Sequence, residues 1–310
     1  MQSGVRSRRF RAGALWLAGM SPLAHSRVPQ SLPLMTPPTA TDRVLVVAPH
    51  PDDETLCCAG YLQQAVQAGA TVGVVWITAG DSFEIDAIVT ERTLRPKGLG
   101  LEKLGMRRIA EAHAAADLLG VPRAHQFLLG FPDRDIAALL REPTAAPFRS
   151  RYTGVSTVPY ADALHPGDAY TGLNLTRELQ QVIDGFAPTI VLVAAPMDRH
   201  SDHNASGALA VRLLHAKAPS ALVYYWIVHA GHKWPGPRGL HRDLNLQPPR
   251  RAALLKWQTR PLTPAQVVGK LAALRAHRTQ LKLMSRFLNA FVRANELFAP
   301  APAPAPMPAP

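Results

Sequence analysis

The chain has 310 residues, 34 Lys and Arg against 22 Asp and Glu for a formal net charge of +12, and 47% hydrophobic but only 6% aromatic residues. This suits one globular domain with a substantial core, and internal repeats are not visible. No apolar run after residue 40 approaches the roughly 20 residues of a membrane-crossing helix, which excludes a helical span through the body of the protein. The only cysteines, adjacent Cys57 and Cys58, cannot make a structural zinc cage. Neighbours in sequence rarely reach disulfide geometry, so both are expected as small buried side chains on a helix.

The first 34 residues carry Arg6, Arg8, Arg9, Arg11 and Arg27 and no acid, then a modest apolar stretch, AGALWLAGMSPLA, and a Pro-rich run. Two readings stay open. This is a signal peptide ending near Ala24-His25-Ser26, with SRRF a loose twin-arginine match, or an upstream extension ahead of a second start at Met35. A cytoplasmic protein is expected under the second, an exported or periplasmic one under the first. Residues 1–40 are expected as a largely disordered leader, 41–298 as the domain, and 299–310, an Ala/Pro repeat, as a disordered tail.

Val44 to Ala48 is a short apolar run closed by a proline, which predicts a strand buried on both faces. A helix follows over Glu54 to Ala70, then a second buried strand, Thr71 to Thr78. The rhythm continues with a helix near Leu104 to Leu119, a strand around Gln126 to Leu129, a helix from Leu173 to Phe186, and a strand from Thr189. A helix from about Asn204 to Ala216 and the strand Ala221 to Val228 come next. Strand, helix, strand in alternation predicts an α/β fold: a doubly wound, mostly parallel, Rossmann-like sheet with helices on both faces. Ligands in such sheets bind beyond the carboxyl ends of the strands.

Two dense ionisable clusters stand at such ends. HPDDE, from His50, follows the first strand, and DRHSDH, Asp198 to His203, follows the strand TIVLVAA. Together they offer His50, Asp52, Asp53, Glu54, Asp198, His200, Asp202 and His203, more charge than a dry strand end holds without a partner. A divalent metal would supply one, and imidazole with carboxylate suits catalytic zinc with an open position for water. HPDDE alone could also be a polar turn capping a helix; a second ionisable cluster at a matching strand end argues for a site.

PHPDDE with HSDH resembles the PIG-L/LmbE-like family of zinc-dependent N-acetylglucosaminyl de-N-acetylases. ITAGD, RRIAEAHAAADLLGV, FLLGFPD, HRTQL and FVRANELF are similar to blocks of bacterial members, so the resemblance covers most of Val44 to Phe298. LCCAG and HRTQ depart from the usual LGCGG and aromatic-or-His-SQ patterns without touching a metal ligand. The resemblance implies one zinc held by His50, Asp53 and His203, with Asp52 as general base and His200 as companion acid, oriented by Asp202. Hydrolysis of an acetamide fits these residue types, since zinc brings bound water to a pKa of about 7 and a carboxylate can take the proton.

Weaker candidates are Arg108, three residues before Glu111 and similar to the family's substrate-contacting R-x-x-E, and Asp133, placed by GFPD at a strand end. The first could instead be a Glu-paired surface arginine and the second a turn residue. His229 is expected near the site rim and His232 on the surface; HxxH there lacks a third metal ligand. His113, His125, His165, His215 and His241 carry no special reading. Between Leu244 and Asn295 lie ten Lys/Arg and no acid. Arg275, Arg278, Lys282 and Arg286 recur at helical spacing, as a solvated face or as a surface for an anionic partner, with nucleic acid not expected. The long segment Arg141 to Thr171 is expected to help define the substrate.

The function expected is removal of acetate from an N-acetylglucosamine-type sugar conjugate, which could be anionic or lipid-linked. An amidase on a related conjugate and a non-catalytic binder of anionic glycan or membrane surface are the alternatives. Oligomeric state and the group attached to the sugar are not legible.

Overall fold

In the computed structural model, which describes residues 31–82, 98–143 and 146–302, the apolar run after Asp42 forms β1 (Arg43–Ala48), buried from Val44 onward. Helix α1 (Asp53–Gln67) returns the chain to β2 (Thr71–Thr78), parallel to β1 in register from Arg43↔Thr71 to Ala48↔Trp76. The unit repeats with α2 (Leu99–Leu118) and β3 (Gln126–Phe131). After α3 (Ile136–Arg141) and α4 (Gly172–Phe186) it resumes with β4 (Ile190–Ala194), α5 (Ser201–Lys217) and β5 (Leu222–Trp226). Last come β6 (Gln258–Pro261), α6 (Pro264–Ala276), α7 (Arg278–Leu288) and β7 (Asn295–Pro300).

The seven strands run in the order β3-β2-β1-β4-β5-β7-β6. They are parallel through β5, and β7 adds antiparallel to β5 and β6. Helix α6 packs against both α1 and α2, and α3 and α4 pack with α5, giving the two helical layers of a doubly wound sheet. Strand order reverses between β1 and β4, which are direct neighbours. The chains leaving these strands diverge to opposite faces, opening a crevice at their carboxyl ends. Both clusters leave from there.

Local chemistry explains the element ends. Thr263 and Gln266 form a reciprocal capping box ahead of α6, with Pro264 in its first turn, where a missing N–H costs nothing. The Thr171 hydroxyl accepts the Asn174 N–H and starts α4.

Several expectations need correction. The antiparallel strands β6 and β7 were not anticipated, because Gln258–Pro261 shows no apolar alternation. The leader is not wholly outside the domain: Met35 is buried, and its N–H donates to the Thr259 carbonyl at 3.0 Å. The Ala/Pro tail begins inside the sheet, since Ala299 pairs with Tyr225 and the Ala301 N–H reaches the Val223 carbonyl at 2.8 Å. Alternation with alanine leaves every second residue a donor, so proline there does not forbid pairing. Cys57 and Cys58 are buried on α1 as expected, yet the structure joins them in a disulfide, with Cα atoms 3.7 Å apart.

The signal-peptide reading of residues 1–26 and the rest of the tail, 303–310, lie outside the described residues. Among the described residues no helix is long and apolar enough to cross a membrane. Arg275, Arg278, Lys282 and Arg286 are exposed, while on the other side Leu271, Leu274 and Leu288 are buried and Leu281 is half-buried. The segment 141–171 does not reach the crevice at any described residue. It packs instead, burying Tyr160 and Tyr170, with the Tyr160 hydroxyl donating to Asp81.

Candidate active site

Immediately after β1 the chain turns through His50, Pro51 and Asp52, where Asp52 adopts a left-handed φ of 113°. That turn separates the directions of successive side chains and starts α1 at Asp53. The Asp53 carboxylate folds back to accept the His50 N–H at 2.9 Å. From β4 the chain passes Asp198 and His200 into α5, whose first turn holds Asp202 and His203. The helix therefore begins three residues earlier than the sequence suggested, and the cluster rides on a rigid element.

The two clusters meet. His50 Nδ1 lies 3.2 Å from His203 Nε2, and Asp53 Oδ2 lies 3.3 Å from the first and 3.2 Å from the second. Ligand atoms held tetrahedrally at the 2.0–2.1 Å of a zinc–nitrogen or zinc–oxygen bond would stand about 3.3–3.4 Å apart. The triangle fits. His50 and Asp53 are within a tenth of being fully buried, and His203 is fully so.

The outer partners of these imidazoles fix which nitrogens face inward. His203 Nδ1 is 3.1 Å from Asp198 Oδ2, and His50 Nε2 is 3.1 Å from Asp133 Oδ1 and 3.4 Å from Asp202 Oδ2. With the outer nitrogens facing carboxylates, which favours the proton there, both inner nitrogens and Asp53 Oδ2 present lone pairs to one another. Three mutually facing acceptors require a cation. Where protons fill that role, the site takes them up: against burial, which lowers it, Asp133 raises His50 well above its ordinary pKa. Asp198 and Asp53 likewise overcome burial to raise His203 to about 10.

Ligand-type atoms of His50, His200 and His203, and of His50, Asp133 and Asp202, also gather closely enough for an ion. In the second grouping one oxygen of each carboxylate is already engaged, while Asp202 Oδ1 is without a hydrogen-bond partner. Asp133 Oδ2 accepts the Ser82 N–H at 3.1 Å and hydroxyl at 2.7 Å, and Asp202 Oδ2 accepts the Arg134 N–H at 2.6 Å. Asp133, a candidate substrate-binding residue, is buried beside His50 and also lines the cleft. Asp202 was expected to orient His200; its backbone N–H donates to His200 Nδ1 at 3.3 Å. That leaves Nε2 as the His200 donor. Burial first, then the neighbouring His50 and His203, lower the His200 pKa to about 2, which favours a neutral ring in the cation-free site.

A cleft of about 130 Å³ opens over these groups. Asp52, Ser82, Arg134, His200 and His229 line its polar side, and Leu56, Val228, Met284, Phe287 and Leu288 line the apolar side. Burial raises the Asp52 pKa; Arg108 lowers it and Asp53 raises it again, to about 7. Arg108 is not the solvated, Glu111-paired residue considered above. It is buried, donates to the carbonyls of Gly80 and Pro51 at 2.7 Å each, and stands 3.6 Å from Asp52 Oδ2. A Cβ on Gly80 would sit 2.2 Å from Arg108 Nη1, and φ is +67° there, so only glycine lets the arginine pass. Glu111 instead receives the Thr279 N–H and hydroxyl. His229 lines the cleft as expected and stacks on Phe287, while His232 is exposed.

Three contributors had no role assigned from sequence. Asp198 accepts the His200, Val228 and His229 N–H groups at 2.9 Å each. Glu54 accepts from Trp76 Nε1 at 2.9 Å and lies 3.2 Å from His277 Nε2, tying α1 to β2 and to the α6–α7 junction. Ser82 steadies Asp133. A signal existed only for the acids, which belong to the two clusters.

The family model described as PIG-L, GlcNAc-PI de-N-acetylase, matches residues 45–214, more than half of the chain. The chain belongs to the PIG-L family. Among PIG-L relatives, a 1D-myo-inositol 2-acetamido-2-deoxy-alpha-D-glucopyranoside deacetylase from Actinosynnema mirum is 26% identical over 254 residues, covering 78% of this chain and 82% of the relative. One from Saccharopolyspora erythraea is 29% identical over 259 residues, covering 79% and 80%. Solved structures share the fold. The N,N'-diacetylchitobiose deacetylase of Pyrococcus horikoshii superposes with a TM-score of 0.52 at 18% identity, covering 84% of each chain. A deacetylase of the teicoplanin biosynthesis pathway gives 0.52 at 22%, covering 83% of this chain and 97% of that one. The PIG-L match spans both clusters, from β1 into α5.

Proposed function

We propose that this protein is a zinc-dependent hydrolase that removes the N-acetyl group from an N-acetylglucosamine-type sugar conjugate. The observation that carries the reading is the inward-facing triangle of His50 Nδ1, Asp53 Oδ2 and His203 Nε2, with edges of 3.2, 3.3 and 3.2 Å. Membership of a family whose named relatives are acetamido-sugar deacetylases supports the substrate class.

His50, Asp53 and His203 would hold the ion, and Asp133 and Asp198 would keep the two imidazoles in the ligating tautomer. Zinc in such a site brings water to a pKa of about 7 and polarises a carbonyl. Asp52 lines the same cleft and has no ligand role, so its carboxylate is free to take the proton of the attacking water. Arg108, beside it, favours the ionised form. His200 offers Nε2–H to the oxygen that gains charge as the amide carbonyl is attacked. The amine is a poor leaving group until protonated, and the proton gained by Asp52 is at hand for it. The apolar wall from Leu56 to Leu288 limits access of further water.

The test is acetate release from a panel of acetamido-sugar conjugates by zinc-reconstituted and metal-stripped protein. Activity should follow zinc, at about one ion per chain for a three-ligand open site. Undiminished release by metal-free protein would overturn the reading.

A further inference from the structure

Among the described residues, three that are not glycine hold a left-handed φ: Asp52 at 113°, Arg134 at 67° and Ala187 at 47°. Ala187 closes α4, where a left-handed residue is ordinary. The other two both line the cleft. At Asp52 the turn serves to aim adjacent carboxylates apart. At Arg134 the backbone has no need of an arginine: its N–H donates to Asp202 Oδ2 at 2.6 Å, a bond glycine would make equally well and without steric strain.

The side chain is what glycine would lose. Arg134 is exposed, lines the cleft, and among the described residues no carboxylate stands at ion-pair distance from its guanidinium. Arg108, the other arginine of the cleft, is buried and bound to two backbone carbonyls. Asp52, Asp53 and Asp133 line the same space, so an anion entering it needs a cation that is not already engaged. Strain located at a site, with a free charge at its end, points to function.

We propose that Arg134 is a specificity-determining residue that binds an oxyanion, phosphate or carboxylate, borne by the sugar conjugate. The planar guanidinium suits either group, taking two oxygens at once. The proposal rests on the deacetylase reading for the sugar, but not for the anion.

Binding of glucosamine, glucosamine 1-phosphate and muramic acid to the zinc-loaded full chain, measured by calorimetry, tests the anion without requiring turnover. Deacetylation of the three corresponding acetamido sugars is measured alongside. Wild type should favour at least one of the anionic sugars over the neutral one by roughly 10- to 100-fold, the usual worth of a charged hydrogen-bonded pair. The arm that responds identifies phosphate or carboxylate. In Arg134→Gly that ratio should fall toward one, in Arg134→Lys it should fall only partly, and the melting temperature of Arg134→Gly should not drop. Anion preference lost in Arg134→Gly without acetate release from any sugar would uphold the anion site and sink the deacetylase reading. Equal binding of all three sugars by wild type, or a preference that survives Arg134→Gly, would overturn the proposal.

Discussion

Asp198 Oδ2 sits 3.1 Å from His203 Nδ1 and is held there by the N–H groups of Val228 and His229. Its pKa is depressed strongly: burial alone would raise it, but His203 first, then the His229 ring and the His200 N–H, prevail. A carboxylate fixed this rigidly sets both the tautomer and the aim of the inward nitrogen. Asp198→Asn should therefore weaken zinc binding by about 10- to 100-fold, the usual cost of losing such an outer partner. Competition with a chelator of known affinity measures it, and unchanged affinity would remove Asp198 from the metal site.

Loading of zinc should release protons. In the cation-free site His50 is raised well above its ordinary pKa and His203 to about 10, so both are charged at pH 7 and must shed a proton to ligate. About two protons should leave per ion, and affinity should fall as pH falls. Calorimetry in two buffers of different ionisation enthalpy counts them. The same signs bear on stability: these two raised values stabilise the cation-free fold below pH about 6.5, and that contribution is lost as pH rises through the folded values.

Asp52→Asn should keep its zinc and lose roughly 10²- to 10⁴-fold in kcat, the usual worth of a general base. Its neighbour gives a subtler test. Arg108 lowers the Asp52 pKa against burial, so displacing the guanidinium should move the acidic limb of the kcat/KM profile to higher pH. Gly80→Ala does this without touching either residue, because its Cβ would meet Arg108 at 2.2 Å. A profile unmoved in an active, folded Gly80→Ala protein would separate Arg108 from the base.

The crevice was legible because its parts are local: a buried strand and an abrupt run of charge appear twice, and parallel topology brings strand ends together. What failed to show were relationships set by distant segments. Lys270 and Glu296 bury an ion pair at 2.6 Å inside α1's own hydrogen bonding. Lys270 donates to the Leu56 carbonyl while Glu296 receives the N–H groups of Gly60 and Tyr61. From sequence Lys270 was simply one of ten cations in an acid-free stretch. Asp133 was read by its strand-end position, whereas its partner His50 comes from another strand. Arg108 fits a helical surface pattern and is buried because Gly80 leaves room for it.

That ion pair carries a stability prediction. Removing the amine alone in Lys270→Met leaves a buried carboxylate without its counter-charge, and such a break typically costs about 3–5 kcal/mol. Chemical denaturation should show a lower midpoint with an unchanged slope. A loss below about 1 kcal/mol, the level of an exposed pair, would mean that water reaches Glu296.

The role of His200 separates two mechanisms. An imidazolium acid would give the basic limb of a bell-shaped pH profile, and deleting it would displace that limb. The structure favours a neutral ring: Nδ1 accepts the Asp202 N–H, and burial together with the nearby His50 and His203 lowers its pKa to about 2. A bound divalent ion would push in the same direction, since it too is a neighbouring positive charge. The ring then stays neutral from pH 5 to 9 and contributes one hydrogen bond to the developing oxyanion. His200→Ala should accordingly keep its zinc and lose about 10²- to 10³-fold in kcat, the cost of one such donor. Its pH limbs should stay where they are in wild type. A basic limb that moves in His200→Ala would return the ring to the role of acid, and loss of zinc would make it a ligand.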